Sequence, residues 1–187
     1  MARPAGRRAP VLTALLTGTL VLLVTLRLHQ ELPAIACGWL VTCGVPLAII
    51  DLRVRRLPDP LTGGCFAGIA ALLIADAAVG GQWQDIGRAA AGAGAAALFF
   101  AIAAVAKPGS SGLGDAKLSL STGALTTWFG WGVLLTSAFA AFLLAACYGL
   151  GMLAVGRASL RTGSLPFGPF LLAGCLAAVL VRGAAGA

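Results

Sequence analysis

Apolar residues form long unbroken runs in this chain, and polar residues are confined to the short gaps between them. The runs are Val11 to Leu28, Ala34 to Ile50, Leu61 to Val79, Ala89 to Ala106, Asp115 to Trp128, Trp131 to Val155 and Phe167 to Val181. A helix needs roughly 20 mostly apolar residues to cross a bilayer. The pattern therefore predicts an all-α, polytopic integral membrane bundle of six to seven helices, with the fifth and seventh marginal in length. The fourth run is rich in alanine and glycine, which suits close helix packing in lipid. No gap is long or polar enough for a second domain, so residues 1–187 read as a single membrane-embedded domain.

Composition agrees with the pattern. The chain is 59% hydrophobic and only 10% charged, with a mean hydropathy of +0.97, whereas soluble domains are roughly a quarter charged. The net charge of +7 would in a soluble protein raise nucleic-acid binding. Here the arginines sit in short loops between apolar runs, so topology is the simpler cause and no nucleic-acid partner is expected. With the N-terminus in the cytoplasm, the cytoplasmic segments hold Arg3, Arg7, Arg8, Arg53, Arg55, Arg56, Lys107, Lys117, Arg157 and Arg161, and the outer ones only Arg27, Arg88 and Arg182. That imbalance follows the positive-inside rule and places Asp51, Asp59 and Asp115 on the cytoplasmic face.

The first run follows three arginines but lacks a small-residue cleavage site at the right distance, so it reads as an uncleaved signal anchor. Cys37, Cys43, Cys65, Cys147 and Cys175 form no CxxC pair and read as small buried apolar residues. No metal and no cofactor are expected. The single histidine, His29, has no polar neighbours with which to build a serine or cysteine triad. Phosphate-binding, dinucleotide and zinc-protease motifs are absent.

The chemistry therefore rests on six acidic residues: Glu31, Asp51, Asp59, Asp76, Asp85 and Asp115. An ionisable group near a membrane span is costly and marks a candidate site. Asp51 ends the second run. Asp115 opens the fifth, inside Gly112-Leu113-Gly114-Asp115-Ala116-Lys117. Two carboxyls sharing one proton can hydrolyse a peptide: the ionised one takes a proton from water and the protonated one polarises the carbonyl. The negative end of a helix disfavours a carboxylate and the N-terminal end favours one, which assigns the shared proton to Asp51 and the charge to Asp115. Gly112 and Gly114 are expected to turn the backbone tightly and admit a substrate chain beside Asp115.

At these residues the chain resembles the prepilin peptidases, or type IV leader peptidases, among the GxGD membrane aspartyl proteases. Three stretches carry the likeness: Asp51 to Asp59 with Leu61-Thr62, then Gly112-Leu113-Gly114-Asp115-Ala116-Lys117-Leu118 with Gly123, then Leu165-Pro166-Phe167-Gly168-Pro169-Phe170. A lone GxGD is common; three motifs in the family's order are not. The resemblance implies an endopeptidase that removes the short basic leader of a prepilin-like substrate at the cytoplasmic face, usually after a glycine, without metal or cofactor, with Asp51 and Asp115 as the catalytic pair. The long members carry an N-terminal cytoplasmic region with two CxxC pairs tied to N-methylation. No CxxC occurs here, so peptidase activity alone is expected, as in the short forms serving Tad, Flp or archaeal-type systems.

Other residues have competing readings. Asp59, between Pro58 and Pro60, is a rival to Asp51 in the pair or a turn former. Lys117 orients substrate, offsets charge at the pair, or snorkels to the interface. Arg53, Arg55 and Arg56 read as lipid contacts, and Trp128, Phe129 and Trp131 as an aromatic belt at the outer interface. Asp76 is placed near the outer end of its span and Asp85 in a solvated outer loop. The alternative function is a small transporter or channel using Asp51 and Asp115 as proton or cation sites. Against it, the acids sit at span ends rather than mid-span, and no repeated half is visible.

Overall fold

The computed structural model describes residues 17–22, 31–54, 57–106, 112–155 and 167–185. Among them there are seven helices and no strand: α1 (residues 17–22), α2 (Glu31–Val54), α3 (Asp59–Gly80), α4 (Trp83–Ala106), α5 (Gly112–Trp128), α6 (Trp131–Ala154) and α7 (Gly168–Ala185). Each of the six predicted runs from Ala34 onward corresponds to one helix, and of the first run residues 17–22 are helical. Most of the first run, the segment Lys107 to Ser111, His29, Arg55, Arg56, Arg157, Arg161, Leu165 and Pro166 lie outside the described residues.

Four helices are long and apolar enough to cross a bilayer, over Leu32–Val54, Asp59–Gly80, Trp83–Ala106 and Trp131–Ala154; the apolar part of α7, Gly168–Arg182, is shorter. Their outward faces carry Leu98, Phe99, Ile102 and Val105 on α4 and Leu135, Phe139, Leu143 and Leu150 on α6, all exposed. So much exposed apolar surface is foreign to a soluble monomer and normal for a bundle solvated by lipid tails. Cys147 is on that outer surface too, whereas the other four cysteines are buried, so the expectation of five buried cysteines holds for four.

α5 is the centre of the bundle. It packs against α2, α3, α4, α6 and α7, and Leu118, Ser119, Ser121, Thr122, Leu125, Thr126 and Thr127 are all fully or almost fully buried. Three of its hydroxyls bond along their own helix, from Thr126 to the Thr122 carbonyl at 2.7 Å, from Ser119 to the Ala116 carbonyl at 2.8 Å and from Thr127 to the Gly123 carbonyl, while the buried Ser121 hydroxyl makes no such bond. Its closest seam is with α4: a Cβ on Gly123 would sit 2.8 Å from the Gly92 carbonyl oxygen and 3.0 Å from the Ala96 Cβ. Small residues let two backbones approach in this way.

At one end of the bundle, which holds four of the element ends that flank tryptophans, α3 stops at Gly81. Its left-handed φ of 69° is the usual glycine helix stop. α4 then starts at Trp83, six residues before the predicted Ala89. The reason is local pairing: Asp85 in the first turn bridges Arg88 at 2.9 Å, and Arg88 Nε donates to the Thr127 carbonyl at 2.8 Å while its Nη2 donates to that of Trp128. Arg88 thus satisfies carbonyls left open at the end of α5. Asp85 is consequently half-buried and paired, not a solvated loop residue. Trp128 is also displaced from expectation. It is 4% exposed and part of the core, while Trp83 and Trp131 beside it face outward.

Candidate active site

The opposite end of the bundle gathers the C-terminal end of α2 and the N-terminal ends of α3, α5 and α7. Asp51 lies in the last turn of α2, because apolar residues continue to Val54 and carry the helix past it. Asp115 lies in the first turn of α5. Asp51 is 3% exposed; Asp115 is half-buried. The two carboxyls are within electrostatic reach of one another. Burial first, and the neighbouring Asp51 second, push the Asp115 carboxyl up to about 7.

Asp51 is held from the far side. The Gly168 amide, the first of α7, donates to Asp51 Oδ2 at 3.1 Å. A Cβ on residue 168 would lie 2.9 Å from that same oxygen, so only glycine brings its backbone so near. Glycine is required here for approach, not for an unusual φ.

The corner between α2 and α3 is fastened to the start of α5 by two contacts. Leu57 is buried against Gly114, where an added Cβ would stand 2.7 Å from Leu57 Cδ1. Lys117 Nζ meets Asp59 Oδ1 at 2.6 Å. Pro58 makes the corner: extended at φ −66°, ψ 125°, it accepts the Leu61 and Thr62 amides, each at 3.1 Å, while Pro60 sits in the first turn, where a missing N–H costs nothing.

These contacts revise the expected parts. Gly112 and Gly114 do not form a turn ahead of a helix. Both are already helical, and the residues with positive φ among the described glycines are Gly81 and Gly130. Gly114 makes room for Leu57. Asp59, the rival of Asp51, is exposed and ion-paired on the flank. An exposed pair of this kind contributes at most roughly 1 kcal/mol. Replacing Asp59 or Lys117 singly by alanine is accordingly expected to change substrate turnover by less than about tenfold, and exchanging the two (Asp59→Lys with Lys117→Asp) to restore it; a rate assay on the three variants checks this.

Depth matters as well. Arg88 aligns the start of α4 with the end of α5, and at about 1.5 Å per residue α4 runs roughly 7 Å past the level of Asp115. Phe142 lies beside Phe167, and from there α6 rises roughly 18 Å further to Ala154. The aspartates are therefore set below the ends of α4 and α6. Among the described residues, no group of three or more His, Cys, Asp or Glu side chains is placed to hold a metal ion.

The chain is a multi-pass helical bundle with an aspartate at the end of α2 and another at the start of α5, and the comparisons place it in a family of membrane peptidases. The profile of the type IV leader peptidase family matches residues 34–150, from α2 to α6 and across both aspartates, and the chain belongs to that family. It is 31% identical over 177 residues to the prepilin leader peptidase/N-methyltransferase of Aeromonas salmonicida strain A449 and, equally, to that of Aeromonas salmonicida. The alignment covers 89% of this chain and 56% of those relatives, so the chain spans little more than half their length. No solved structure matches it significantly.

Sequence reading did not single out Leu57 or give Gly168 a partner. A glycine next to a conspicuous motif was the available signal; the identity of its partner was not.

Proposed function

We propose that this chain is an aspartic endopeptidase that removes the short basic leader of prepilin-like precursors at the cytoplasmic membrane face. The observation that carries this reading is that Asp51 and Asp115, on two separate helices, lie within electrostatic reach of one another, with Asp51 buried and accepting the Gly168 amide. In the proposed reaction Asp115 takes a proton from a water molecule, whose oxygen attacks the scissile carbonyl carbon. Asp51, holding the shared proton on Oδ1 while Oδ2 accepts Gly168, gives that proton to the carbonyl oxygen. Collapse of the tetrahedral intermediate breaks the C–N bond, the proton on Asp115 passes to the leaving amine, and one hydroxyl proton of the intermediate returns to Asp51, leaving a carboxylic acid and the starting pair. Their own helices favour this division, Asp51 at a C-terminal turn and Asp115 at an N-terminal one, while the Gly168 amide at the start of α7 favours charge on Asp51, so the two act as one titrating pair.

In this reading water and an extended leader reach the pair from the end of the bundle that holds the aspartates, and the apolar stalk of the substrate stays in lipid. The orientation rests on the distribution of Lys and Arg, and the substrate class on the family. The curated relatives are named as N-methyltransferases as well; we propose peptidase activity for the residues present here, in which no CxxC pair occurs.

The test is to co-reconstitute the purified chain with a prepilin-like protein in vesicles and to sequence the new N-terminus by mass spectrometry. Cleavage after a glycine at the junction of basic leader and apolar stalk is expected. Intact precursor, together with proton or cation flux that depends on Asp51, would instead support the transporter.

A further inference from the structure

The Gly168 amide is one half of a peptide unit whose other half is the Phe167 carbonyl. In a trans peptide the N–H and C=O point in opposite directions within one plane. The Phe167 carbonyl accepts the amides of Phe170 and Leu171, each at 3.0 Å, which makes it the first acceptor of α7. The N–H on the other side of the plane is thereby aimed away from the helix, at Asp51 Oδ2. Whatever fixes the Phe167 peptide plane fixes the hydrogen bond to Asp51.

The Phe167 side chain is the handle on that plane. Its ring centroid lies 5.3 Å from that of Phe100 on α4 and 5.1 Å from that of Phe142 on α6. Phe100 and Phe142 are stacked on each other, 6.3 Å apart and 12° from parallel. These separations lie within the range of favourable aromatic pairs. The three rings join α4, α6 and α7 at the level of the aspartates, and the residue they grip is the one directly before the donor. The neighbouring pair Tyr148–Phe170, at 5.4 Å, involves no residue of that peptide unit.

We propose that Phe100, Phe142 and Phe167 form a positioning cluster that holds the Gly168 amide on Asp51 and so sets the proton distribution of the aspartate pair. They touch neither the reacting atoms nor substrate; they act through one backbone N–H. The proposal rests on the peptidase reading. The aspartate pair carries one negative charge between its two carboxyls, and a hydrogen bond to such a charge is worth enough that losing it changes a rate by roughly 10- to 100-fold.

The test measures kcat, KM and the pH–rate profile of the full chain in vesicles for Phe167→Ala, Phe167→Leu, Phe100→Leu, Phe167→Tyr and, as a control, Tyr148→Ala. Phe167→Ala, Phe167→Leu and Phe100→Leu are expected to lower kcat by ~10-fold or more with KM within about threefold, and to displace the pH–rate profile by about half a unit or more. Phe167→Tyr keeps the ring and is expected to restore both, and Tyr148→Ala to match the parent. Leucine fills the space without the ring, so Phe100→Leu and Phe167→Leu report on positioning even where the alanine variant fails to fold. Parental kcat and an unmoved pH profile in the two leucine variants would overturn the cluster's role. Failure of the parent to cleave would instead overturn the peptidase reading, so the two are distinguished.

Discussion

Replacing Asp115 by asparagine is expected to reduce leader cleavage by on the order of 10³-fold or more, the loss that follows removal of a positioned proton acceptor. Asparagine keeps the size and hydrogen-bonding outline of the side chain but takes no proton from water. The first turn of α5 tolerates the change, because Asp115 is half-buried and its helix is anchored elsewhere, through Leu57 on Gly114 and Lys117 on Asp59. Asp51→Asn is expected to be equally inactive for a complementary reason. An amide still accepts the Gly168 N–H through its oxygen, so the contact at 3.1 Å survives while the transferable proton is lost. Both variants should therefore keep the parent's thermal stability within a few degrees. Loss of activity with loss of fold would not fit this account.

The largest effect on folding is expected at the seam between α4 and α5. Gly123→Val would drive a branched side chain into the Gly92 carbonyl at 2.8 Å and the Ala93 Cα at 3.1 Å. These are backbone atoms, which cannot rotate aside. Overpacking of a rigid core costs roughly 1–3 kcal/mol, occasionally more, and here the obstacle is backbone on the central helix, so about 3 kcal/mol is expected. For a chain of this size that lowers Tm by about 6–12 °C, read by thermal unfolding in detergent. Because α5 carries Asp115 and meets five other helices, activity should fall in step with the fold. An unchanged Tm would show that the seam opens more readily than its geometry implies.

Much of the architecture was legible as hydropathy, because in lipid each backbone group must be satisfied inside its own segment. The six apolar runs from Ala34 onward are each a helix, and the alternation of spans put Asp51 and Asp115 at the same end of the bundle. α5 was the weak point of that reading. It is rich in Ser, Thr and Gly, so it looks marginal as a span, yet it is the most enclosed helix because it faces protein rather than lipid. Hydropathy measures transfer into lipid and undervalues such a helix. For the same reason Trp128 looked like a belt residue and is core. The helix of Gly112 and Gly114 was missed because glycine before an aspartate signals a turn, while the packing of Leu57 that needs a missing Cβ is invisible in one dimension.

The site divided in the same way. Its carboxylates were legible because charge is rare in this chain. Asp59 and Lys117 were separately legible as charges, but their pairing across 58 positions was not. Phe100, Phe142 and Phe167 were silent, since a phenylalanine inside an apolar run carries no signal beyond its hydrophobicity. Gly168 and Asp51 are 117 positions apart, and nothing in local pattern joins them.

The account stands on Asp51 and Asp115 acting as one catalytic pair, with Asp59 outside it. The most direct measurement is the single-turnover rate of leader release from a prepilin-like substrate in vesicles, for the parent and for Asp51→Asn, Asp115→Asn and Asp59→Asn, each shown to be folded. The predicted result is no detectable release in the first two variants and a rate within about tenfold of the parent in the third. Parental release by either Asp51→Asn or Asp115→Asn, or loss of release in Asp59→Asn alone, would contradict it.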